Sequence, residues 1–265
     1  MSQHSAAAII GLVSAWRSFE KQQRLAELKD NFVSSVSHEL RAPIASVRLM
    51  AEGLERGRVQ EPEKQREYFR FILQECRRLS GLIQNVLDFS RIDQGRQEYE
   101  FESADVLRLV DETLKGMEPA AAERQIQLSF TPPPSPVNAT IDARAIQQAL
   151  VNLIDNAIKH SASGSQIVVG MNVAEDPADR RSPGFSRSLL QIFVQDQGEG
   201  IPAAEHVRIF ERFYRVGSEL RRQTPGAGIG LSIVKHIVDA HGGRVRVESE
   251  PGKGSCFTIE IPLKA

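Results

Sequence analysis

The sequence predicts an α+β protein in which two long helices form a hairpin and a mixed sheet covered by helices follows. Apolar residues recur at helical spacing from Trp16 to about Ile92. After Gly95, short strand-like runs alternate with helical segments, which is typical of a sheet packed against helices. With 265 residues, of which 41% are hydrophobic and 25% charged, the chain is long enough for two ordinary domains of a globular protein.

The two long helices are separated by a predicted break between Glu52 and Pro62, where Gly53 and Gly57 also interrupt the pattern. Each helix carries an apolar stripe that is too wide for one hairpin to bury. We therefore predict a homodimer in which two hairpins form a four-helix bundle. The stripes contain Phe32, Val36, Leu40, Ile44 and Val47 on the first helix, and Phe69, Ile72, Leu73, Cys76, Leu79, Ile83, Val86 and Leu87 on the second.

The region after Gly95 is predicted to form one mixed sheet with helices on it. Helices are expected near residues 103–122, 142–160 and 228–240. Strands are expected near residues 97–102, 126–131, 137–141, 166–173, 189–196, 244–249 and 256–261.

Charge and cysteine content exclude several classes of protein. The formal net charge of −1 gives no general attraction to nucleic acid, so no nucleic-acid partner is expected. Cys76 and Cys256 are too far apart to indicate a zinc site or a disulfide framework. The apolar run at 6–16 is far shorter than the roughly 20 residues that cross a bilayer, so we expect membrane attachment only through a segment upstream of Met1.

His38 is the first candidate for chemistry because no core requires it. It lies about 200° round the helix from Val36, on the polar side with Ser34, Arg41 and Ala45. An imidazole has an ordinary pKa of about 6.5, so a neutral, nucleophilic form is abundant at neutral pH. The pattern predicts a histidine displayed to solvent.

A second group of polar residues shares one face of the helix predicted at 142–160. Asn152, Asn156, Lys159 and His160 follow one another at steps of three or four residues or stand next to each other, whereas the opposite side is apolar. A lone surface Asn is usually only solvated. Two amides beside a cation, with glycine-rich runs downstream, instead favour ligands for a hard cation and phosphate oxygens.

Two glycine-rich runs follow. The first run begins with Asp196, a hydrogen-bond acceptor at the end of a predicted strand, and continues through Gly198, Gly200 and Ile201. Its glycines allow a tight turn whose backbone a ligand can approach closely. The second opens a helix, whose N-terminal amide groups suit a phosphate chain. Its spacing matches neither the Walker loop nor the dinucleotide fingerprint, and either run alone is weak evidence. The second run contains Gly226, Gly228, Gly230 and Leu231.

The stretch between the glycine runs predicts a mobile lid over a phosphate. Aromatic Phe210 and Phe213 would anchor it, Arg215 would supply a cation, and a polar segment at 217–225 would close over the ligand. The alternative is an ordinary surface helix and loop.

In this order the motifs resemble those of the sensor histidine kinases of two-component signalling, and the resemblance covers residues from about Leu25 to Leu263. The segment 37–43 resembles the phospho-accepting box of that family, 152–160 the asparagine box, 196–200 the first glycine box, 210–215 the phenylalanine box and 226–231 the second glycine box. The resemblance implies an N-terminal helical linker or membrane-proximal segment at 1–24, a dimerisation and histidine phosphotransfer domain at 25–94, and a catalytic ATP-binding domain at 95–265. That last domain would be the α/β sandwich shared with gyrase, MutL and heat-shock chaperone ATPases.

The resemblance also implies roles for these residues. His38 would attack the γ-phosphate of Mg²⁺-bound ATP, with Glu39 orienting or deprotonating its ring, and an aspartate on a response regulator would receive the phosphoryl group. Asp196 would contact the adenine amino group. Asn156, helped by Asn152, would bind Mg²⁺, and Lys159 and Arg215 would meet phosphates. The resemblance also implies nucleotide binding by residues of the asparagine box, the glycine boxes and the phenylalanine box, namely His160, Gly198, Gly200, Ile201, Phe210, Phe213, Gly226, Gly228, Gly230 and Leu231.

One position departs from the commonest family pattern. Many members carry Thr or Asn four residues after the phospho-accepting His, where it orients water that dephosphorylates the regulator, and this chain has Ala42. We therefore expect weak regulator phosphatase activity. The competing hypotheses are a gyrase- or chaperone-type ATPase clamp, which needs no displayed histidine, and a dimeric scaffold without catalysis.

The resemblance further implies a cytoplasmic location, either alone or as the cytoplasmic part of an inner-membrane sensor. A sensor domain is expected upstream or in a partner protein.

Overall fold

The computed structural model describes residues 3–175, 188–216 and 228–263. These fall into two compact units. One contains residues 3–81 with 212–214 and 228, and the other contains residues 82–175, 188–211, 215–216 and 229–263. The predicted domain limits of 25–94 and 95–265 stay a prediction, but the compact units divide the second long helix after Gly81.

Two long helices form the first part of the chain, as predicted. Helix α1 spans Gln3–Glu55 and α2 spans Pro62–Asp93. The connection turns at Gly57, whose φ of 62° favours glycine, and Pro62 begins α2, where its missing amide proton costs no helical hydrogen bond. Helix α1 continues through Pro43.

The remaining elements are, in chain order, β1 (Glu102–Asp105), α3 (Val106–Glu123), β2 (Gln127–Thr131), β3 (Asn138–Ile141), α4 (Ala143–His160), β4 (Gln166–Glu175), β5 (Ser188–Gln195), the short 3₁₀ turns Ala203–Glu205 and Arg208–Phe210, α5 (Gly230–Ala240), β6 (Arg244–Glu250) and β7 (Gly254–Pro262). The last five predicted strands agree with β3 to β7 to within about two residues at each end, which is the usual uncertainty of strand boundaries.

The prediction of a single mixed sheet is wrong. Strands β2, β4, β5, β7 and β6 form one sheet in that order, with β2 parallel to β4 and the other pairs antiparallel. Strands β1 and β3 form a separate two-stranded antiparallel sheet. The strand predicted at 97–102 is found instead at residues 102–105, where it pairs with residues 138–141. It ends at Asp105 because the side chain of Asp105 accepts a hydrogen bond from Arg108 N and caps α3.

The core of the second unit lies between the five-stranded sheet and helices α3, α4 and α5. Alternating residues of the strands are buried on one face, among them Ile192, Val194 and Ile259, and they meet the apolar side of the helices. Helix α4 is positioned at its start by Asp142, whose side chain accepts hydrogen bonds from Ala145 N and Glu100 N, each at 3.0 Å. This places the polar face of α4 at the edge of the core.

The last turns of α2 belong to this second unit. Phe89 and Ile92 are buried there, and so is the carboxylate of Asp88. One oxygen of Asp88 accepts a hydrogen bond from Gln148 of α4 at 2.6 Å, and the other accepts one from Gln84 of α2 at 2.8 Å. The end of α2 is therefore buried in this unit and is joined to α4 by a polar contact.

Candidate functional site

The imidazole of His38 is exposed on α1, as its helical position predicts. The neighbouring Ser37 hydroxyl donates to Val33 O at 2.8 Å, so its hydrogen bond stays within the helix. Ala42, one turn later, is also exposed, whereas Glu39 is half-buried. His38 is therefore accessible to a reactant from solvent.

Helix α4 carries the four predicted polar residues at different depths. Asn152 is only 7% exposed, whereas Asn156, Lys159 and His160 are half-buried. Lys159 Nζ lies 2.6 Å from a carboxylate oxygen of Asp155, so it is paired within its own helix. A phosphate would have to compete with that carboxylate for the ammonium group.

The C-terminal end of α4 contacts the first glycine run. His160 Nδ1 lies 2.9 Å from a carboxylate oxygen of Glu199. A Cβ atom at Gly198 would collide with the carbonyl oxygen of His160, and one at Gly200, where φ is 70°, would collide with the carbonyl oxygen of Glu250. Both glycines are required by close backbone approach.

Asp196 directly follows β5 and is 4% exposed. Its Oδ1 accepts hydrogen bonds from Gly198 N at 2.7 Å and from Ser255 N at 3.2 Å. Burial raises the pKa of this carboxyl above its ordinary value, and the two backbone hydrogen bonds and His160 oppose that rise. Because both bonds end on Oδ1, Oδ2 is placed to accept a hydrogen bond from a ligand.

The segment after the first glycine run is attached to the sheet. Ile201 N donates to Ser249 Oγ at 2.8 Å, and the carbonyl oxygen of Ile201 lies 3.1 Å from His206 Nε2. Phe210 packs edge-on against Phe257 of β7, with ring centroids 6.3 Å apart. These contacts hold the start of the predicted lid against the core.

Phe213 and Arg215 are both half-buried, and Phe213 adopts a φ of 65°, which is uncommon for a residue with a side chain. The lid predicted at 217–225 and the candidate residue Gly226 lie outside the described residues.

The second glycine run leads into α5, which begins at Gly230. Ile229 provides no side-chain cap, so the first amide groups of α5 have no partner within the helix and form its electropositive end. Gly228 has a φ of 72°, and Leu231 is half-buried. A Cβ atom at Gly230 would lie 3.7 Å from Asn152 Oδ1, so the start of α5 is next to Asn152.

These groups fit a ligand with a hydrogen-bond donor at one end and a phosphate chain at the other. Asp196 supplies the acceptor. The start of α5 supplies amide donors, and Asn152 Nδ2 is a buried donor without a hydrogen-bond partner in the described part of the chain. Asn152 and His160 lie about 12 Å apart along α4, so this helix connects the two ends of the candidate site.

The turn between β6 and β7 supports this site, although none of the predicted motifs includes it. Gly252 N donates to Glu199 O at 2.7 Å, and a Cβ atom at Gly254, where φ is 85°, would collide with the carbonyl oxygen of Asp196. Two glycines in the run 251–254, just before the last strand, were the signal that could have identified it.

Asn85 of α2 is a second contact that the sequence analysis missed. Its Nδ2 donates to Asn152 Oδ1 at 3.3 Å. The two residues are 67 positions apart. Periodicity within one helix carries no information about which residue of another helix faces it, so the sequence alone held no signal for this pair.

Comparison with protein families accounts for both units. The model described as "His Kinase A (phospho-acceptor) domain" matches residues 28–95. The model described as "Histidine kinase-, DNA gyrase B-, and HSP90-like ATPase" matches residues 141–265. The second unit therefore has the fold of an ATP-binding domain of that class, as predicted.

Curated relatives extend this match over nearly the whole chain. The alginate biosynthesis sensor protein KinB of Pseudomonas aeruginosa is 33% identical over 262 residues, which is 98% of this chain and 41% of KinB. The sensor-like histidine kinase SenX3 of Mycolicibacterium smegmatis is 32% identical over 239 residues, which is 90% of this chain and 59% of SenX3. With both family models matched in order, the chain belongs to the sensor histidine kinases of two-component signalling, and it spans less than two thirds of the length of these relatives.

Solved structures agree with this assignment. Full-length ShkA in complex with AMPPNP has a TM-score of 0.58 at 26% identity, covering 88% of this chain and 46% of ShkA. The histidine kinase AdeS of Acinetobacter baumannii has a TM-score of 0.56 at 24% identity, covering 86% of this chain and 98% of the AdeS chain, and so has the same fold. Among the described helices, none combines the length and the apolar character that a membrane span requires.

Proposed function

We propose that this chain is an ATP-dependent protein histidine kinase that phosphorylates its own His38 and passes the phosphoryl group to an aspartate of a response regulator. The observation that carries the proposal is the exposed imidazole of His38 within the region matched by the phospho-acceptor model. The ATPase-type fold of the second unit supports a phosphate donor, and the AMPPNP complex of the similar protein ShkA supports ATP as that donor.

The adenine end of ATP is assigned to Asp196. Its buried carboxylate, already fixed through Oδ1 by Gly198 and Ser255, accepts a hydrogen bond from the adenine amino group through Oδ2. The first glycine run allows the base to approach the backbone, and Ile201 lies at its end. His160 braces this run from α4 through Glu199.

The phosphate end is assigned to the start of α5 and to the polar face of α4. The first amide groups of α5, at Gly230 and Leu231, suit anionic oxygens, and Gly228 is proposed to lie beside them in the same glycine run. Asn156 would hold Mg²⁺ through its amide oxygen, a ligand that this hard cation accepts, and Asn152 is the second residue predicted to help. When bound, Mg²⁺ would neutralise charge on the phosphates.

The lid residues complete the phosphate end. Arg215 approaches from the lid, whose start is held by the packing of Phe210 on Phe257, and Phe213 is proposed as a second anchor. Lys159, on α4, meets a phosphate after leaving Asp155. Gly226 belongs to the same run as Gly228 and Gly230.

Phosphoryl transfer to His38 follows from its exposure. A ring nitrogen of the neutral imidazole attacks the γ-phosphorus, and a nitrogen–phosphorus bond forms. The bond from the γ-phosphorus to the β,γ-bridging oxygen breaks, and ADP leaves with that electron pair. Glu39 orients the ring or accepts the proton from its other nitrogen. The phosphohistidine then gives its phosphoryl group to the regulator aspartate.

A homodimer is part of the proposal because the helical hairpin leaves large apolar side chains uncovered. Ile44 is 53% exposed, Leu49 72%, Phe69 55% and Leu73 57%. Side chains of this size on one hairpin are what a second copy would bury in a four-helix bundle. We further propose that a sensor domain, upstream or in a partner protein, supplies the signal, and that this part of the protein acts in the cytoplasm, where ATP is available.

Labelling with γ-labelled ATP and Mg²⁺ tests the proposed function. We expect label on the protein that is lost in acid and kept in alkali, because a nitrogen–phosphorus bond hydrolyses in acid. Label with the stability of a phosphoserine would contradict the proposal. Hydrolysis of ATP to free phosphate without labelled protein would favour the ATPase clamp, and neither binding nor labelling would favour the scaffold.

Replacing Ala42 with Thr is expected to raise dephosphorylation of the regulator. Ala42 is exposed one turn after His38, so a hydroxyl there can orient water without a steric clash. Correct positioning of a reacting group changes a rate by about 100-fold, so we expect an increase of up to that size. The assay uses a receiver domain that accepts a phosphoryl group from this protein. The phosphorylated receiver domain is incubated with each variant and ADP, and the rate at which it loses phosphate is measured.

Ala45→Thr is the matched control, because Ala45 is also exposed on the same side of α1 and carries the same loss of helix propensity. If Ala42→Thr and Ala45→Thr dephosphorylate the regulator at the rate of the unmodified protein, the explanation based on Ala42 is wrong.

A further inference from the structure

Two polar contacts join the end of α2 to α4, the helix that carries several candidate nucleotide residues. Asn85 Nδ2 donates to Asn152 Oδ1 at 3.3 Å, and Gln148 Nε2 donates to Asp88 at 2.6 Å. Asn85 and Asp88 are three residues apart on α2, and their partners Asn152 and Gln148 are four residues apart on α4. Residues at this spacing share one face of a helix, so the two pairs lie on facing sides of α2 and α4. All four residues belong to the same compact unit.

The contact with Asn85 decides which atom of Asn152 remains for a ligand. Oδ1 of Asn152 already accepts a hydrogen bond, whereas Nδ2 is buried and has no partner within the described ranges. The residue is 7% exposed, so water has little access to it. A buried amide donor that lacks a partner is unfavourable until an acceptor arrives.

The surroundings of Asn152 indicate what that acceptor is. Gly230, the first residue of α5, lies beside the Asn152 side chain. The uncapped amide groups of this helix end attract anions. A phosphate group bound at this helix end would bring acceptor oxygens close to the Asn152 amide, whose Nδ2 lacks an acceptor among the described residues.

We propose that Asn85 is a positioning residue of the nucleotide site: it fixes the Asn152 amide so that Nδ2 donates to a phosphate oxygen, and it leaves Mg²⁺ to Asn156. This inference rests on the proposed function and assigns Asn152 a different role from that of a metal ligand. It also makes a residue of α2, outside the predicted ATP-binding domain, part of nucleotide recognition.

The test is the affinity for ADP of the full chain, measured by calorimetry in EDTA and again in Mg²⁺. In Asn85→Asp, a carboxylate replaces the donor, so the Asn152 amide turns to donate to it and presents its oxygen to the phosphates. Since a hydrogen bond to a charged group is lost, ADP affinity in EDTA should fall about tenfold. The loss should shrink in Mg²⁺, because the exposed amide oxygen can then bind the ion.

Asp88→Ala is the matched control for the packing of α2. It removes the contact with Gln148 but leaves the pair of Asn85 and Asn152 in place. Its melting temperature should fall, whereas its ADP affinity should stay within about twofold of the unmodified protein, since no contact to the ligand is lost. Asn85→Ala should lie between the unmodified protein and Asn85→Asp, because the Asn152 amide is then free to adopt either orientation.

Two results would overturn this inference. One is ADP binding to Asn85→Asp in EDTA at least as tight as that of the unmodified protein. The other is an equal loss in Asp88→Ala and Asn85→Asp, which would mean that only the docking of α2 matters. If the unmodified protein fails to bind ADP at all, the proposed function itself fails, so the two failures are distinguishable.

Discussion

Replacing His38 with Gln is expected to abolish the acid-labile, alkali-stable label on the protein. Glutamine has no nucleophilic ring nitrogen, and removing a nucleophile lowers a rate by about 10³-fold or more. Because the side chain is exposed, the free energy of unfolding should change by no more than about 0.5 kcal/mol. Affinity for ADP should be unchanged, since His38 lies on α1, whereas Asn152, Asn156 and Asp196 lie in the other unit. The measurements are labelling with γ-labelled ATP, thermal unfolding and calorimetry.

His4→Gln is the control for this substitution, because His4 also belongs to α1 but precedes the residues that match the phospho-acceptor model. It should retain full labelling. Acid-labile label that persists in His38→Gln would place the phosphorylated residue elsewhere and would remove His38 from the mechanism.

Replacing Asp196 with Asn should invert the base preference of the nucleotide site. The amide oxygen of Asn can still accept from Gly198 N and Ser255 N, so the fold should be kept. Its amide nitrogen, however, replaces the oxygen that accepts from the adenine amino group, and two donors then face each other. Loss of a hydrogen bond to a buried charged group costs about 1.5–3 kcal/mol, so ADP affinity should fall by about 10- to 100-fold.

IDP, which carries a carbonyl oxygen where ADP carries the amino group, separates base recognition from general damage. It should bind Asp196→Asn more tightly than it binds the unmodified protein, because the new amide can donate to that oxygen. Equal losses for both nucleotides would mean that Asp196 only maintains the fold of the glycine run.

Much of this fold follows from local patterns. Helix α4 and strands β4, β5 and β7 were predicted to within about two residues because burial on one face imposes a period that the sequence must follow. Asp196, Gly198 and Gly200 were proposed as site residues because an acceptor at a strand end, followed by glycines, forms a turn that a ligand can approach closely. Such signals lie within a few residues of one another.

The features that were missed depend on residues far apart in the chain. Strands β1 and β3 are only four residues long, and they pair across the whole of α3 and β2. The burial of Asn152 and its contact with Asn85 depend on the packing of α2 against α4. A helical pattern states which side of a helix is buried, but not what it is buried against.

The grouping of the last turns of α2 with the second unit affects how this protein should be recombined with its relatives. A chimera joined at residue 95 would carry Asp88, Phe89 and Ile92 from one parent and their buried surroundings from the other. A junction between Gly81 and Leu82 keeps these contacts within a single parent. Exchanges of input modules between such kinases are therefore best made inside the second helix, three turns before it ends.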